Sequence, residues 1–548
     1  MDLQNSKVKV CIQDKEMQVK YKTTVIEILK DIYSDEQMEK IYAVRLNNAI
    51  KALNEPVVLD AVIEPVFYED VDGYSIYTRT VKLVLYLAIK RLYKNLDIEL
   101  CNTIENSGYF MCHDIEFTDE MAQNIQKEME RIVEQNYAIE RKGVSFEEAY
   151  SIYKAQDEQD KLDNMQIKLN PRVTMCFVDN MATNMYGIVA PSTGYAKGFL
   201  LKKFRRGFVV IYASRDNKNN VDTSAQYSGV YKVFEEFNDY AEQMKVRTVA
   251  DLNQKIIDGE IGEVISYSER IQESKFNDIT ANICANNKIK FILVAGPSSS
   301  GKTTFAKRIG EKLIQKGYHP ITISMDNYFK ERVDTPKLPN GEYDFETVEA
   351  LDMELFNKDM KKLLNGEEIS MPEFNFLTGK KEYNGNNIAP QDNYIYVVEG
   401  IHALNPMVTE VIPDELKYKI YIAPMTTLNM DDFSKVSTTD TRVLRRMVRD
   451  YRTRGHSVSG TLDMWTNIAR GEKKYIYPYI KEADYIFNTS FLYEVCALSI
   501  YARPLLLQVK TSDKNYSEAR RLYSFLTNFL TIDEREIPDN SLLREFIG

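Results

Sequence analysis

Histidine is scarce in the 548 residues: His113, His319, His402 and His456 are all there are, and none pairs with another at metal-ligand spacing. A histidine zinc site is therefore not expected. The six cysteines, Cys11, Cys101, Cys112, Cys176, Cys284 and Cys496, are scattered and form no C-x-x-C pair. They read as free thiols of a reducing compartment, which implies a cytoplasmic protein. No uninterrupted apolar run is long enough to span a bilayer, so no membrane partner is expected. The opening residues Met1–Lys7 carry neither a basic n-region nor an apolar h-region, and no signal peptide is expected. Positive charge is in deficit: 70 Lys and Arg face 81 Asp and Glu, for a formal net charge of -11. That balance argues against a nucleic-acid coat or a membrane-surface protein. Repeats and low-complexity tracts are also missing.

What remains is an ordinary globular mix, 44% hydrophobic and 28% charged, long enough for about three or four domains. Val8, Val10 and Ile12 alternate with polar residues, as does Met17–Tyr21, which predicts a hairpin. A helix is expected over Thr23–Ile32, then strands around Ala43–Asn47 and Ile63–Phe67, an order that suits a β-grasp unit over residues 1–68. Residues 69–248 read as an α+β domain, with helices around Val81–Tyr93 and Asp119–Glu134 and a strand at Gly207–Tyr212. Residues 249–287 read as a helical connector. From residue 288 to 548, apolar runs alternate with helical segments: Phe291–Ala295, Ile321–Ile323, Tyr394–Val398, Tyr418–Ile422 and Leu505–Val509. This is the signature of an α/β, doubly wound parallel sheet covered by helices on both faces.

The segment Gly296-Pro297-Ser298-Ser299-Ser300-Gly301-Lys302-Thr303 fits G-x-x-x-x-G-K-[ST], and Thr304 follows it. An apolar strand precedes it, and helical spacing through Phe305, Ala306, Ile309 and Leu313 follows, the context a P-loop requires. Glycine lets the backbone wrap an anion, and the helix N-terminal amides point at phosphates. Lys302 is expected to neutralise the β- and γ-phosphates of ATP, and the Thr303 hydroxyl to hold Mg²⁺. No D-x-x-G or N-K-x-D follows, which excludes the usual GTPase apparatus. A small-molecule kinase needs an acid to take the hydroxyl proton, a second acid near Mg²⁺, and cations for the charge in flight. Asp326 lies just beyond the second strand, Glu399 ends another, and Arg442, Arg445, Arg446, Arg449, Arg452 and Arg454 recur at helical spacing. By itself each acid reads equally as a cap or turn residue, and an arginine run is more often a solvated helix face. Their order after a P-loop favours the kinase.

These motifs resemble the uridine kinase and phosphoribulokinase family. Besides the P-loop, Ser324-Met325-Asp326-Asn327-Tyr328-Phe329 resembles its S-x-D-x-[FY]-[FY] segment, which implies Asp326 as general base for a ribose 5′-hydroxyl beside a substrate-contacting Tyr328. Asp344–Asp352 resembles a ribose-binding segment in which Glu346 stands for the family's aspartate. Pro372–Phe376 resembles P-x-Y-D-F, which implies substrate contacts at Phe374 and Phe376. Glu399-Gly400-Ile401 resembles E-G-I, which implies a magnesium or catalytic-water role for Glu399. Arg445-Arg446-Met447-Val448-Arg449-Asp450, then Arg454-Gly455-His456, resembles the family's lid; Arg449 and Arg454 would act in transfer, and Arg446 and His456 would meet the substrate. Departures cluster on the side that reads the base: Phe374 replaces a tyrosine, Gly379 a histidine, and His456 the last lid arginine. The resemblance covers about residues 288–510 and implies ATP and Mg²⁺ as cofactors, a nucleoside as substrate, and a homo-oligomer.

Residues 6–68 resemble the TGS domain of threonyl-tRNA synthetase, and residues 70–160 the start of that enzyme's editing module, through Ala88–Tyr93, Ile104–Phe110 and Phe117–Glu120. The module's H-x-x-x-H pair falls at Leu83 and Leu87, which are expected to pack a core instead, so hydrolysis of aminoacyl-tRNA is not expected. The resemblance leaves two further readings beside the nucleoside kinase: a nucleotide-switched protein that contacts tRNA or the ribosome, and a kinase of another small alcohol.

Overall fold

The computed structural model describes residues 6–104, 106–113, 115–165, 172–218, 220–222, 228–339 and 341–548. The opening residues 1–5, and Glu105 of the second resemblance, lie outside them.

The N-terminal hairpin forms from Lys7–Ile12 and Lys15–Lys20, and the strand Lys7–Ile12 also pairs in parallel with Ala61–Phe67. Ile41–Leu46 and a short strand, Ala49–Lys51, complete a five-stranded mixed sheet over the helix Val25–Lys30. That helix opens on a reciprocal cap between Thr24 and Glu27, which satisfies donors its first turn would leave open. Next comes a 22-residue helix, Val71–Leu92, packed on a four-stranded sheet that contains Ile98–Ile104, Ser107–Cys112, Phe199–Phe204 and Gly207–Tyr212. Leu83 and Leu87 are fully buried in this core.

The C-terminal part is a P-loop kinase-like α/β fold. Its parallel sheet comprises β1 (Phe291–Ala295), β2 (His319–Ser324), β3 (Tyr394–Glu399), β4 (Lys417–Ala423) and β5 (Tyr485–Asn488), in the order β2-β3-β1-β4-β5. Side-chain alternation along each strand divides the apolar residues between two cores. Ile292, Val294, Ile395, Val397, Ile420 and Ile422 face one layer of helices, while Phe291, Leu293, Tyr396, Val398 and Tyr421 face the other. Burial on both faces is why these strands read as continuous apolar runs. The fifth strand differs from expectation. Leu505–Leu507 ends the helix Glu494–Leu507, and the edge strand is Tyr485–Asn488. A short apolar run does not by itself separate a strand from a buried helical turn.

The hairpin Asn429–Asp431/Ser434–Lys435 leaves the kinase part and enters the N-terminal part. Phe433 packs 5.2 Å from the Tyr86 ring, and buried Lys161 meets Asp431 at 2.7 Å. Ser437 then caps the arginine-rich helix, so the N-terminal part grips the segment that leads into it. Among the described residues no helix is long and apolar enough to cross a membrane.

Candidate active site

The P-loop joins β1 to helix α1 (Lys302–Ile314). Two backbone features shape the turn. Gly301 takes φ +89, and a Cβ on Gly296 would meet the Ile422 carbonyl at 2.1 Å. Any other residue at Gly296 would push the loop off the sheet. The hydroxyls of Ser299 and Ser300 are buried without a hydrogen-bond partner. Orphaned donors beside the open first turn of a helix fit an anion held there. Lys302 Nζ donates to the carbonyls of Gly296 (3.0 Å) and Pro297 (3.1 Å). Burial lowers the Lys302 pKa, while Glu399, Asp326 and Glu545 oppose that effect.

Parallel register brings the acids together. Glu399, the last residue of β3, is level with Val294 of β1 and Ser324 of β2. Asp326 follows two residues later in the turn Met325–Tyr328. Asp326 is open to solvent inside a crowded cleft. Desolvation by the crowded cleft walls raises its pKa, against the pull of Lys302, Arg454 and Arg449. Burial first, and Asp326 second, push Glu399 up to about 7, despite Lys302 and the Ser324 hydroxyl. Glu346 rises to about 7 through burial, Glu472 and Asp326, with Arg446 and Lys302 opposing. Carboxylates gathered around the Lys302 ammonium, each disfavoured as an anion chiefly by desolvation, form a site that a further cation would stabilise. The Mg²⁺ that accompanies a triphosphate would be such a cation. Thr303 and Glu399 would be the residues to hold the ion, and one or two protein oxygens completed by phosphates and water would suit Mg²⁺.

Helix α2 (Thr438–Arg454) buries Arg442 and Arg445 and half-buries Arg446 and Arg449, while Arg452 and Arg454 at its end are exposed. Arg445 is 1% exposed and fixed to Glu494 at 2.7 and 2.9 Å. Arg442 pairs in the interior with Glu472 of helix α3 (Val458–Tyr475). Together they clamp Ser298. Its N–H donates to Glu472 (3.2 Å), its carbonyl accepts from Arg442 (3.0 Å), and its hydroxyl accepts from Arg446. Arg446, Arg449, Arg454 and, at 4.0 Å, His456 gather around the buried Asp450.

The structure brings together the P-loop, Asp326, Glu346, Glu399, Arg446, Arg449 and Arg454. It places Tyr328 elsewhere. That ring is fully buried, its hydroxyl donates to Asp359 at 3.2 Å, and Phe356 packs edge-on at 5.2 Å. Tyr328 therefore supports the Asp326 turn from within the core rather than facing a substrate. Phe374 is also buried, in a cluster with Phe329, Phe345 and the half-exposed Phe376. Glu472 and Glu545 escaped the sequence reading. Gly471, beside Glu472, leaves room for Glu346, which a Cβ there would strike at 2.5 Å, and neither Glu472 nor Glu545 belongs to a local pattern that the sequence shows.

A family profile described as Phosphoribulokinase / Uridine kinase family matches residues 291–491. A uridine kinase of Borrelia duttonii is 31% identical over 206 residues, which span 36% of this chain and 85% of that protein. The chain belongs to the phosphoribulokinase / uridine kinase family. It is a P-loop kinase acting on a small-molecule hydroxyl. A threonine–tRNA ligase of Caldanaerobacter subterraneus is 32% identical over 181 residues, 32% of this chain but 28% of that enzyme, in the N-terminal half. Among solved structures, a possible uridine kinase from Bacillus stearothermophilus aligns with a TM-score of 0.27 and 16% identity, covering 39% of this chain and 98% of that one.

The raised carboxylate pKa values set a pH dependence. A general base works only when deprotonated, so with Asp326 in that role kcat/KM should fall about tenfold per unit on the acid side, starting from a pH above the usual aspartate range. Saturating Mg²⁺ should move the acid limb of kcat to lower pH, because a cation favours the carboxylates. The stability effect has the opposite sign. Glu399 binds its proton more tightly folded than unfolded, so its contribution to the free protein is largest below about pH 4.5 and is lost as pH rises toward about 7. Rate profiles at low and high Mg²⁺ check the first point, and thermal unfolding of the free protein checks the second.

Proposed function

We propose that the protein transfers the γ-phosphate of ATP, bound with Mg²⁺, to the 5′-hydroxyl of a nucleoside of the uridine or cytidine type. The observation that carries this reading is the convergence of Lys302, Asp326 and Glu399 at the carboxyl edge of β1, β2 and β3. In such sheets, ligands bind at this edge. Lys302 and the loop amides hold the phosphates, and Thr303 and Glu399 hold the magnesium ion. Asp326 takes the proton of the attacking hydroxyl. Arg449 and Arg454 neutralise charge on the transferring group. Glu346, Phe376, Arg446 and His456 line the acceptor side. Relatives described as uridine kinases support the nucleoside. The N-terminal half, with both editing histidines replaced by buried leucines, serves as scaffold for the hairpin that leads into α2, and an RNA contact there rests on resemblance alone.

A second reading, another small alcohol as acceptor, draws on the base side. Gly379 takes φ +71, and Arg332 lies where a side chain there would go. Phe374 has no hydroxyl with which to read a base. A site discriminates strongly only through polar groups it pairs. The test is ADP release with ATP, Mg²⁺ and a panel of ribonucleosides, deoxyribonucleosides and sugar phosphates. Turnover confined to pyrimidine nucleosides is the expected result. Turnover confined to sugar phosphates selects the second reading, and a flat panel despite ATP binding removes the first.

A further inference from the structure

The last helical turn of the chain, Arg544–Ile547, delivers a carboxylate to the phosphate cradle. Glu545 Oε2 accepts from the Thr304 N–H at 3.3 Å and from the Thr304 hydroxyl at 2.7 Å. Its other oxygen lies 3.9 Å from Arg449. The charge is felt across the site: it favours the protonated form of Lys302 and helps to raise Glu399. The contact is built rather than incidental. Phe546 and Ile547 are buried, the Phe546 ring lies 4.9 Å from the Arg445 guanidinium, and the Phe546 carbonyl accepts from Arg452 at 3.1 Å. The segment is thus anchored on helix α2, the helix that also clamps Ser298.

We infer that the C-terminal segment is an intramolecular competitor of the nucleotide, with the Glu545 carboxylate occupying the outer phosphate-binding donors of α1 until a nucleotide displaces it. The inference rests on the nucleotide reading above. The chemistry is that of one anion replacing another. P-loop amides and the hydroxyls of the first helical turn bind phosphate oxygens. A carboxylate satisfies the same donors with charge-assisted hydrogen bonds. Two anions cannot occupy the same donors at once. Phosphates that enter must turn Glu545 out, and part of their binding free energy is spent doing so. By reciprocity, whatever holds Glu545 in place weakens nucleotide binding by the same factor.

The test is the dissociation constant of MgATP, measured by titration calorimetry, for the full chain and for Glu545→Ala and Glu545→Gln. Losing a charge-assisted contact of this kind is expected to tighten binding in the alanine variant by roughly tenfold or more. The glutamine variant should fall between the two, since its amide oxygen still accepts from Thr304 but carries no charge. Glu545→Gln preserves shape and so keeps the test open if the alanine variant unfolds. Affinity that is unchanged or weaker in both variants overturns the latch while leaving the nucleotide reading intact. Failure of all three proteins to bind MgATP overturns the nucleotide reading, and the latch with it.

Discussion

Asp326→Asn is expected to lower turnover by about 10²–10⁴-fold while leaving MgATP binding in place. The substitution keeps the shape of the side chain and removes its capacity to take a proton. Asp326 is held where that proton would be delivered, in the turn Met325–Tyr328 directly beyond β2. The turn is braced from beneath by Tyr328 on Asp359 and from the side by Asn327, whose Oδ1 accepts from the Phe374 N–H at 3.3 Å. Amide for carboxylate disturbs neither support, so the folded state should survive. Nucleotide affinity should hold or rise slightly, because the variant removes a negative charge near the phosphates. The loss should appear in kcat and in kcat/KM alike, as for an interaction made only in the transition state. The acid limb of the pH–rate profile should also change shape, since one of the site's raised carboxylates is gone. Steady-state kinetics with a nucleoside that the wild type accepts checks this, and near-wild-type turnover would remove Asp326 from proton transfer.

The P-loop was legible because its chemistry fixes spacing: glycine at 296 and 301, lysine at 302 and threonine at 303 lie within eight consecutive residues. Four of the five parallel strands were legible: β1, β3 and β4 because burial leaves them largely apolar, and the edge strand β2 through Ile321 and Ile323, although only Ile323 is buried there. The fifth was not. Tyr485–Asn488 is short, and two of its residues are only partly buried, whereas Leu505–Leu507 is as apolar as a strand but continues a helix. The arginine run was visible as a periodicity, but its orientation was not. Whether Arg442 and Arg445 face water or the P-loop depends on Glu472 and Glu494, 30 and 49 residues further along. Glu545 is 241 residues from Thr304 and belongs to no local pattern, so only the folded chain reveals their contact. Tyr328 shows the limit of a motif: the tight turn that presents Asp326 to the cleft sends the ring two positions later into the core.

Lys302→Met should cost about 10³-fold in kcat/KM for ATP, with loss in both nucleotide affinity and the transfer step. The ammonium is the cation common to the three raised or crowded acids, appearing among the influences on Asp326, Glu346 and Glu399. With triphosphate bound, it would meet the β- and γ-oxygens, where negative charge shifts during transfer. Its removal therefore withdraws ground-state binding and transition-state stabilisation together. Methionine approximates the lysine stem in volume, and burial already disfavours the charged lysine in the free protein, so the variant should fold with little change in stability. The carboxylates give an independent readout. Without the ammonium, their pKa values should rise further, and the acid limb of any residual activity should move to higher pH. Measured against Asp326→Asn, the pair separates two roles. The aspartate variant binds nucleotide and does not transfer, while the lysine variant does neither well. A Lys302→Met protein with wild-type MgATP affinity would mean that the loop holds its phosphates through backbone donors alone.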